Sequence, residues 1–146
     1  MNQGNDAECA VACFKNGYCC SQAVFATCAP GHGMDREMAL KLASPFCAGM
    51  GRLGRTCGAV TGAFLAIGLA HGSGEPDGET REKAYGLVNE FAGRFIERNG
   101  SLECRELLGC HIGTPEGYRE AKEKNLFETV CEKLVRDAVE IGEELL

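Results

Sequence analysis

The chain has 146 residues, 45% hydrophobic and 25% charged, and its 15 basic residues face 21 acidic ones for a formal net charge of −6. That length suits one domain able to bury roughly two-thirds of its unfolded surface, and the hydrophobic share excludes a disordered chain. The acidic balance disfavours nucleic acid and anionic membrane as partners, since both need a basic footprint, and leaves cysteine, ten in all, as the anomaly.

The opening MNQGNDAECAVACF has no basic start before an apolar core, so no secretory signal is expected. The expectation that follows is a reducing cytoplasm, where cysteines are more often ligands or redox groups than structural bridges. A first helix is predicted over residues 6–15, closed by Asn16-Gly17, and a second over 18–27, ended by Pro30. Asp35 is a plausible N-cap for a third, which stops before Ser44-Pro45. A glycine-rich loop, residues 47–55, leads into an uncharged helix over 56–70, short of the ~20 apolar residues a bilayer span needs, so no membrane insertion is expected. Gly54, Gly58 and Gly62 fall four apart and predict a strip on which another helix packs closely; otherwise each glycine costs up to ~1 kcal/mol.

Residues 72–78 read as a surface loop, and 80–98 as a long amphipathic helix stopped by Asn99-Gly100. Ser101 is the expected cap of a short helix over 102–108, and Thr114-Pro115-Glu116 a strong start for another that fades near Asn125. A last helix is expected over 127–145, with Cys131 on its apolar stripe. No alternating β pattern occurs. The fold expected is all-α, a single-domain bundle of about six to seven helices around a buried glycine/alanine-rich central helix, whose apolar surfaces leave a homodimer open.

This map sorts the thiols. Cys20, Cys57 and Cys104 fall in first turns of three helices, where free N–H groups and partial positive charge favour a thiolate. Arg52 and Arg55 precede Cys57 and are candidates for stabilising a thiolate or anion, which makes Cys57 the expected most reactive thiol in the absence of metal. A buried cysteine taken alone is usually packing. Cys9, Cys13, Cys19, Cys28, Cys47 and Cys110 carry weaker signals: a strained vicinal bridge between Cys19 and Cys20, resolving roles for Cys28 and Cys47, a ligand pair in Cys110-His111.

Four pieces taken together resemble a known family. They are Cys20-Ser21-Gln22-Ala23-Val24, Cys57-Gly58-Ala59-Val60-Thr61-Gly62, Cys104-Arg105-Glu106-Leu107-Leu108-Gly109, and the segment around Cys131, in that order. The chain resembles the small bacterial redox-active proteins named for the pattern C_GCAxxG_C_C, departing in having Thr56 rather than glycine before Cys57. The resemblance implies a helical, redox-active protein in which Cys20, Cys57, Cys104 and Cys131 are the signature cysteines, with an iron–sulfur centre proposed for related segments fused to cytochromes.

Four such sulfurs suit a [2Fe–2S] or [4Fe–4S] cluster, a zinc ion, or one or two reversible disulfides serving a redox partner protein. The gaps of 36, 46 and 26 residues contain no C-x-x-C, which sets zinc behind the other two and excludes ferredoxin spacings, whereas a bundle-core site needs no local chelate. A different class of function, a non-catalytic metal-binding or sensing module serving a partner such as a transporter, also fits. Gly49-x-Gly51-x-x-Gly54 matches the dinucleotide fingerprint, but no strand precedes it and the first acidic residue after it, Glu75, falls in a loop.

Overall fold

The computed structural model describes residues 3–146, and it is all-α. Eight α-helices follow in order: α1 (Gln3–Lys15), α2 (Cys20–Cys28), α3 (Arg36–Ala43), α4 (Gly58–His71), α5 (Gly78–Asn99), α6 (Cys104–Leu108), α7 (Pro115–Glu123) and α8 (Glu132–Leu145). The count is one above the six to seven expected of the bundle, and each of the eight overlaps a segment whose sequence reads as helical.

Local chemistry sets most boundaries. The Asp35 carboxylate accepts from the Met38 N–H at 2.9 Å, and the Thr114 hydroxyl accepts from Gly117 N–H at 3.0 Å with Pro115 at the first position. Gly100 ends α5 at φ 88°, a left-handed conformation that glycine adopts without a Cβ penalty. Ser101 is not the cap of α6. Glu103 holds that place, and the Ser101 hydroxyl accepts from the Glu103 N–H one turn earlier. Asp35→Ala should cost about 1 kcal/mol, the usual loss for an N-cap acceptor, read as a lower urea midpoint.

The predicted central helix is α4, buried along Gly58–Ala63 and again at Ala66 and Ile67. α2 lies closely against it because Gly58 and Gly62 offer no side chain. A Cβ at Gly62 would stand 2.7 Å from the Ser21 carbonyl oxygen. Gly54 is not part of this strip. It precedes the helix at φ +73° and faces Arg105 and His111. On the other side of α4, Phe91 of α5 meets Phe64 edge-on and stacks with Phe95, ring centroids 5.9 Å apart in both pairs. Leu134, Val135, Ala138, Val139 and Ile141 of α8 complete this core. At its rim Asp137, 7% exposed, is held by Arg98 at 3.2 Å and Lys133 at 2.6 Å.

Three irregular segments position the thiols. Residues 48–52 all have positive φ and form a left-handed turn, three of them without being glycine. Thr56 and Glu103 form an isolated antiparallel bridge, with the Cys57 N–H donating to Leu102 O at 2.8 Å and Cys104 N–H to Arg55 O at 2.6 Å. Residues Phe127–Cys131 form one π-helical stretch running into α8. Among the described residues no helix is long and apolar enough to cross a membrane.

Candidate functional site

Cys20 opens α2, Cys57 caps α4, Cys104 opens α6 and Cys131 ends the π-helical stretch. The Thr56–Glu103 bridge sets the starts of α4 and α6 side by side, and the close α2–α4 packing brings Cys20 to the same end of the bundle. All four thiols line one cavity of about 210 Å³. Its remaining wall is mainly apolar, from Phe14, Leu107, Leu108, Ile112, Phe127 and Leu134, with Tyr118 and Arg52 on one side.

The sulfurs are close enough to influence one another. Burial pushes the Cys57 thiol well above the usual range, and the neighbouring charges of Cys20, Cys131 and Cys104 push it further, against one favourable N–H from Ala59. Burial and then Cys20 push Cys104 up to about 12, and the same two causes, with Cys104 added, raise Cys131. Cys20 is also raised by burial. It differs in that nearby backbone N–H groups, those of Ala48, Ser21 and Gly58 together with its own, partly offset that rise.

Burial thus works against the expectation that a first-turn position makes Cys57 the most reactive thiol. Cys57 is 5% exposed, and desolvation outweighs the partial charge of the helix end. The arginines give no relief: the Arg52 guanidinium lies over the Tyr118 ring at 4.7 Å, and Arg55 sits in an outer groove beside Glu103, Arg105 and Glu106. Arg52 lines the cavity and Arg55 does not. Among the four cavity thiols, Cys20 is the one whose burial is opposed by several backbone N–H groups.

Two further cysteines belong to the cavity wall. Cys19 and Cys47 stand as a disulfide, Cα atoms 5.9 Å apart, in place of the vicinal Cys19–Cys20 bridge considered from sequence. No sequence signal pairs residues 28 positions apart. Cys110 packs beside Cys104 and Cys131, whereas its neighbour His111 uses Nδ1 to accept from the Gly113 N–H at 3.2 Å. Cys28 lies away from the cavity in a second apolar cluster with Phe25 and Ala29, and Cys13 is held by Arg36 at 3.7 Å. The Gly49–Gly54 fingerprint is the left-handed turn that walls the cavity, reached from α3 and a 3-10 turn, with no strand before it.

The donor set, four thiols around an apolar cavity, is chemically that of an iron–sulfur cluster or of a dithiol–disulfide system. Among the described residues, no group of three or more His, Cys, Asp or Glu side chains is arranged to hold a metal ion.

Neither the curated proteins nor the solved structures provide a match to this chain. A family model described as "Putative redox-active protein (C_GCAxxG_C_C)" matches residues 18–145. That span starts just before the Cys19–Cys20 pair, takes in all four cavity thiols and ends with the last residue of α8, and so the chain belongs to the C_GCAxxG_C_C family of redox-active proteins.

Proposed function

We propose that this protein exchanges electron pairs with a partner protein through the thiols of its cavity, by dithiol–disulfide interchange. The observation that carries this reading is the meeting of Cys20, Cys57, Cys104 and Cys131 on one apolar cavity, from four separate segments of the chain. Cys20 is the entering nucleophile, since its thiolate has backbone N–H donors from α2, α4 and the left-handed turn. Its sulfur attacks one sulfur of a partner disulfide, forming a mixed disulfide and releasing the other partner sulfur as a thiol. A second cavity thiol then attacks the Cys20 sulfur, the mixed bond breaks, and an internal disulfide remains. Two electrons and two protons have passed to the partner. The apolar wall keeps water from the remaining thiols and holds their protons on until a disulfide approaches.

The same donor set favours a second reading. Cys20, Cys57, Cys104 and Cys131 fit an iron–sulfur cluster in type and number, and one bound there would supply one-electron transfer. The four thiols would then have to give up the protons that burial holds on them.

One anaerobic preparation separates the two. Peptide mapping after oxidation with a small disulfide and recovery with dithiothreitol should show two of the four cavity thiols lost and regained, and the change should be absent in Cys20→Ser. Absorption between about 300 and 450 nm with stoichiometric iron and sulfide would replace interchange by the cluster. Stoichiometric zinc in a colourless protein would replace both by a metal-binding module.

A further inference from the structure

We propose that Cys19 and Cys47 form a second, reversible dithiol–disulfide couple, reduced by a dithiol, whose state sets access to Cys20. The couple itself stands apart from the function proposed above; only its effect on Cys20 rests on that reading.

Three observations point to a working couple rather than a fixed staple. First, a chain of this length buries enough surface to fold without cross-links, and both residues are half-buried on the cavity wall, not sealed in the core. Second, a hydroxyl is already placed to serve the reduced state. The Ser21 side chain is fully buried and donates its one proton to the Ala43 carbonyl at 2.7 Å. Its oxygen therefore presents lone pairs to Cys47 Sγ at 2.9 Å and to Cys19 Sγ at 3.7 Å. A disulfide has no proton to offer it, whereas the reduced Cys47 thiol finds an acceptor already in place. Third, the bond is tied to a strained segment. Cys47 immediately precedes the left-handed turn, where Ala48, Met50 and Arg52 hold the positive φ that a Cβ disfavours. The far end of that turn is held by the Arg55 N–H on Gly49 O at 2.9 Å and by Arg52 over Tyr118. The Cys19 bond holds the near end.

This turn is one wall of the Cys20 site. The Ala48 N–H lies near the Cys20 sulfur, and a Cβ at Gly58 would meet both that sulfur and the Cys47 Cα. Breaking the Cys19–Cys47 bond frees the near end, lets the turn relax and uncovers Cys20. The chemistry is ordinary exchange. One thiolate of a dithiol attacks a sulfur of the pair, the Cys19–Cys47 bond breaks, and a mixed disulfide forms. The second thiol of the reductant closes its own disulfide and releases the chain. Two electrons and two protons arrive, leaving Cys19 and Cys47 as thiols and the reductant as a cyclic disulfide.

The test uses the full chain, kept anaerobic and equilibrated in graded mixtures of reduced and oxidised dithiothreitol at one fixed pH. Brief iodoacetamide labelling is read at each cysteine by peptide mass spectrometry. Cys19 and Cys47 should gain and lose label together with the helical circular dichroism unchanged, and Cys20 should label roughly tenfold faster once the pair is reduced. Exposed Cys9 is the internal standard. Cys47→Ser should show the fast Cys20 rate without reductant; should that variant fail to fold, the wild-type titration decides alone. Reduction of the pair only where the helical signal is lost, or one Cys20 rate in both states, would overturn the proposal. A pair that titrates while the other cavity thiols never cycle would leave the couple standing and remove the interchange reading instead.

Discussion

Gly58→Ala is expected to take Cys20 out of the cavity and abolish thiol cycling while leaving most helix intact. The added Cβ would collide with the Cys20 sulfur and stand 3.2 Å from the Ser21 nitrogen and 3.3 Å from the Cys47 Cα. The sulfur is the one movable member of that set, because the other two are backbone at the start of α2 and at the disulfide. Rotation of Cys20 away from the clash removes it from the N–H donors that favour its thiolate. Overpacking of this kind costs about 1–3 kcal/mol. Gly68→Ala is the matched control, since it lies in the same helix with nothing within 4 Å of its ideal Cβ. There the gain in helix propensity should stabilise by roughly 0.5–1 kcal/mol without touching the thiols. Urea midpoints should thus move in opposite directions for two alanines ten residues apart, and peptide mapping should lose the Cys20-linked disulfide only in the first. Unchanged Cys20 chemistry in Gly58→Ala would mean that the close α2–α4 contact does not place this thiol.

The contrast also shows which features of the site are written locally. Asp35, Thr114-Pro115 and Asn99-Gly100 act on their own backbone within a few residues, so their helix ends can be read from the chain. The same holds for the positions of Cys20, Cys57 and Cys104 at helix starts. What a start position does to a thiol is not local. Cys57 sits where a helix end favours the anion, yet it is enclosed by α2, α6 and the residues before α8, and desolvation decides the outcome. The Cys19–Cys47 pair, the Thr56–Glu103 bridge and the left-handed turn depend on partners far along the sequence. Met50 and Arg52 in particular carry no signal for positive φ, which only the surrounding packing enforces. Gly58 and Gly62 were legible as a close-packing strip, although which helix would use it was not.

The fully reduced, metal-free protein should lose stability steeply above about pH 9. Burial, the leading cause in each case, raises the thiols of Cys20, Cys57, Cys131, Cys28 and Cys104, the last two to about 12. Unfolded thiols ionise near pH 8.5–9. Between there and pH 12 the unfolded chain therefore holds fewer protons than the folded one, and stability falls as pH rises; below about pH 8 the contribution is fully present. Each thiol that stays protonated only in the fold adds a slope of about 1.4 kcal/mol per pH unit, so several acting together would offset a typical stability of about 5–15 kcal/mol within a few units. Urea titrations under nitrogen from pH 7 to 10.5 would measure this, and a flat profile to pH 10 would contradict the burial of these groups. Cys28→Ala should remove one thiol's share while leaving the cavity untouched, because Cys28 lies in the separate cluster around Phe25. Oxidation provides the sharper comparison. A disulfide has no proton to lose, so joining two cavity thiols should reduce the alkaline slope by about two thiols' worth, roughly 3 kcal/mol per pH unit. The difference in slope between reduced and oxidised protein then counts the cavity thiols that have been joined, by a measurement that requires no knowledge of the partner.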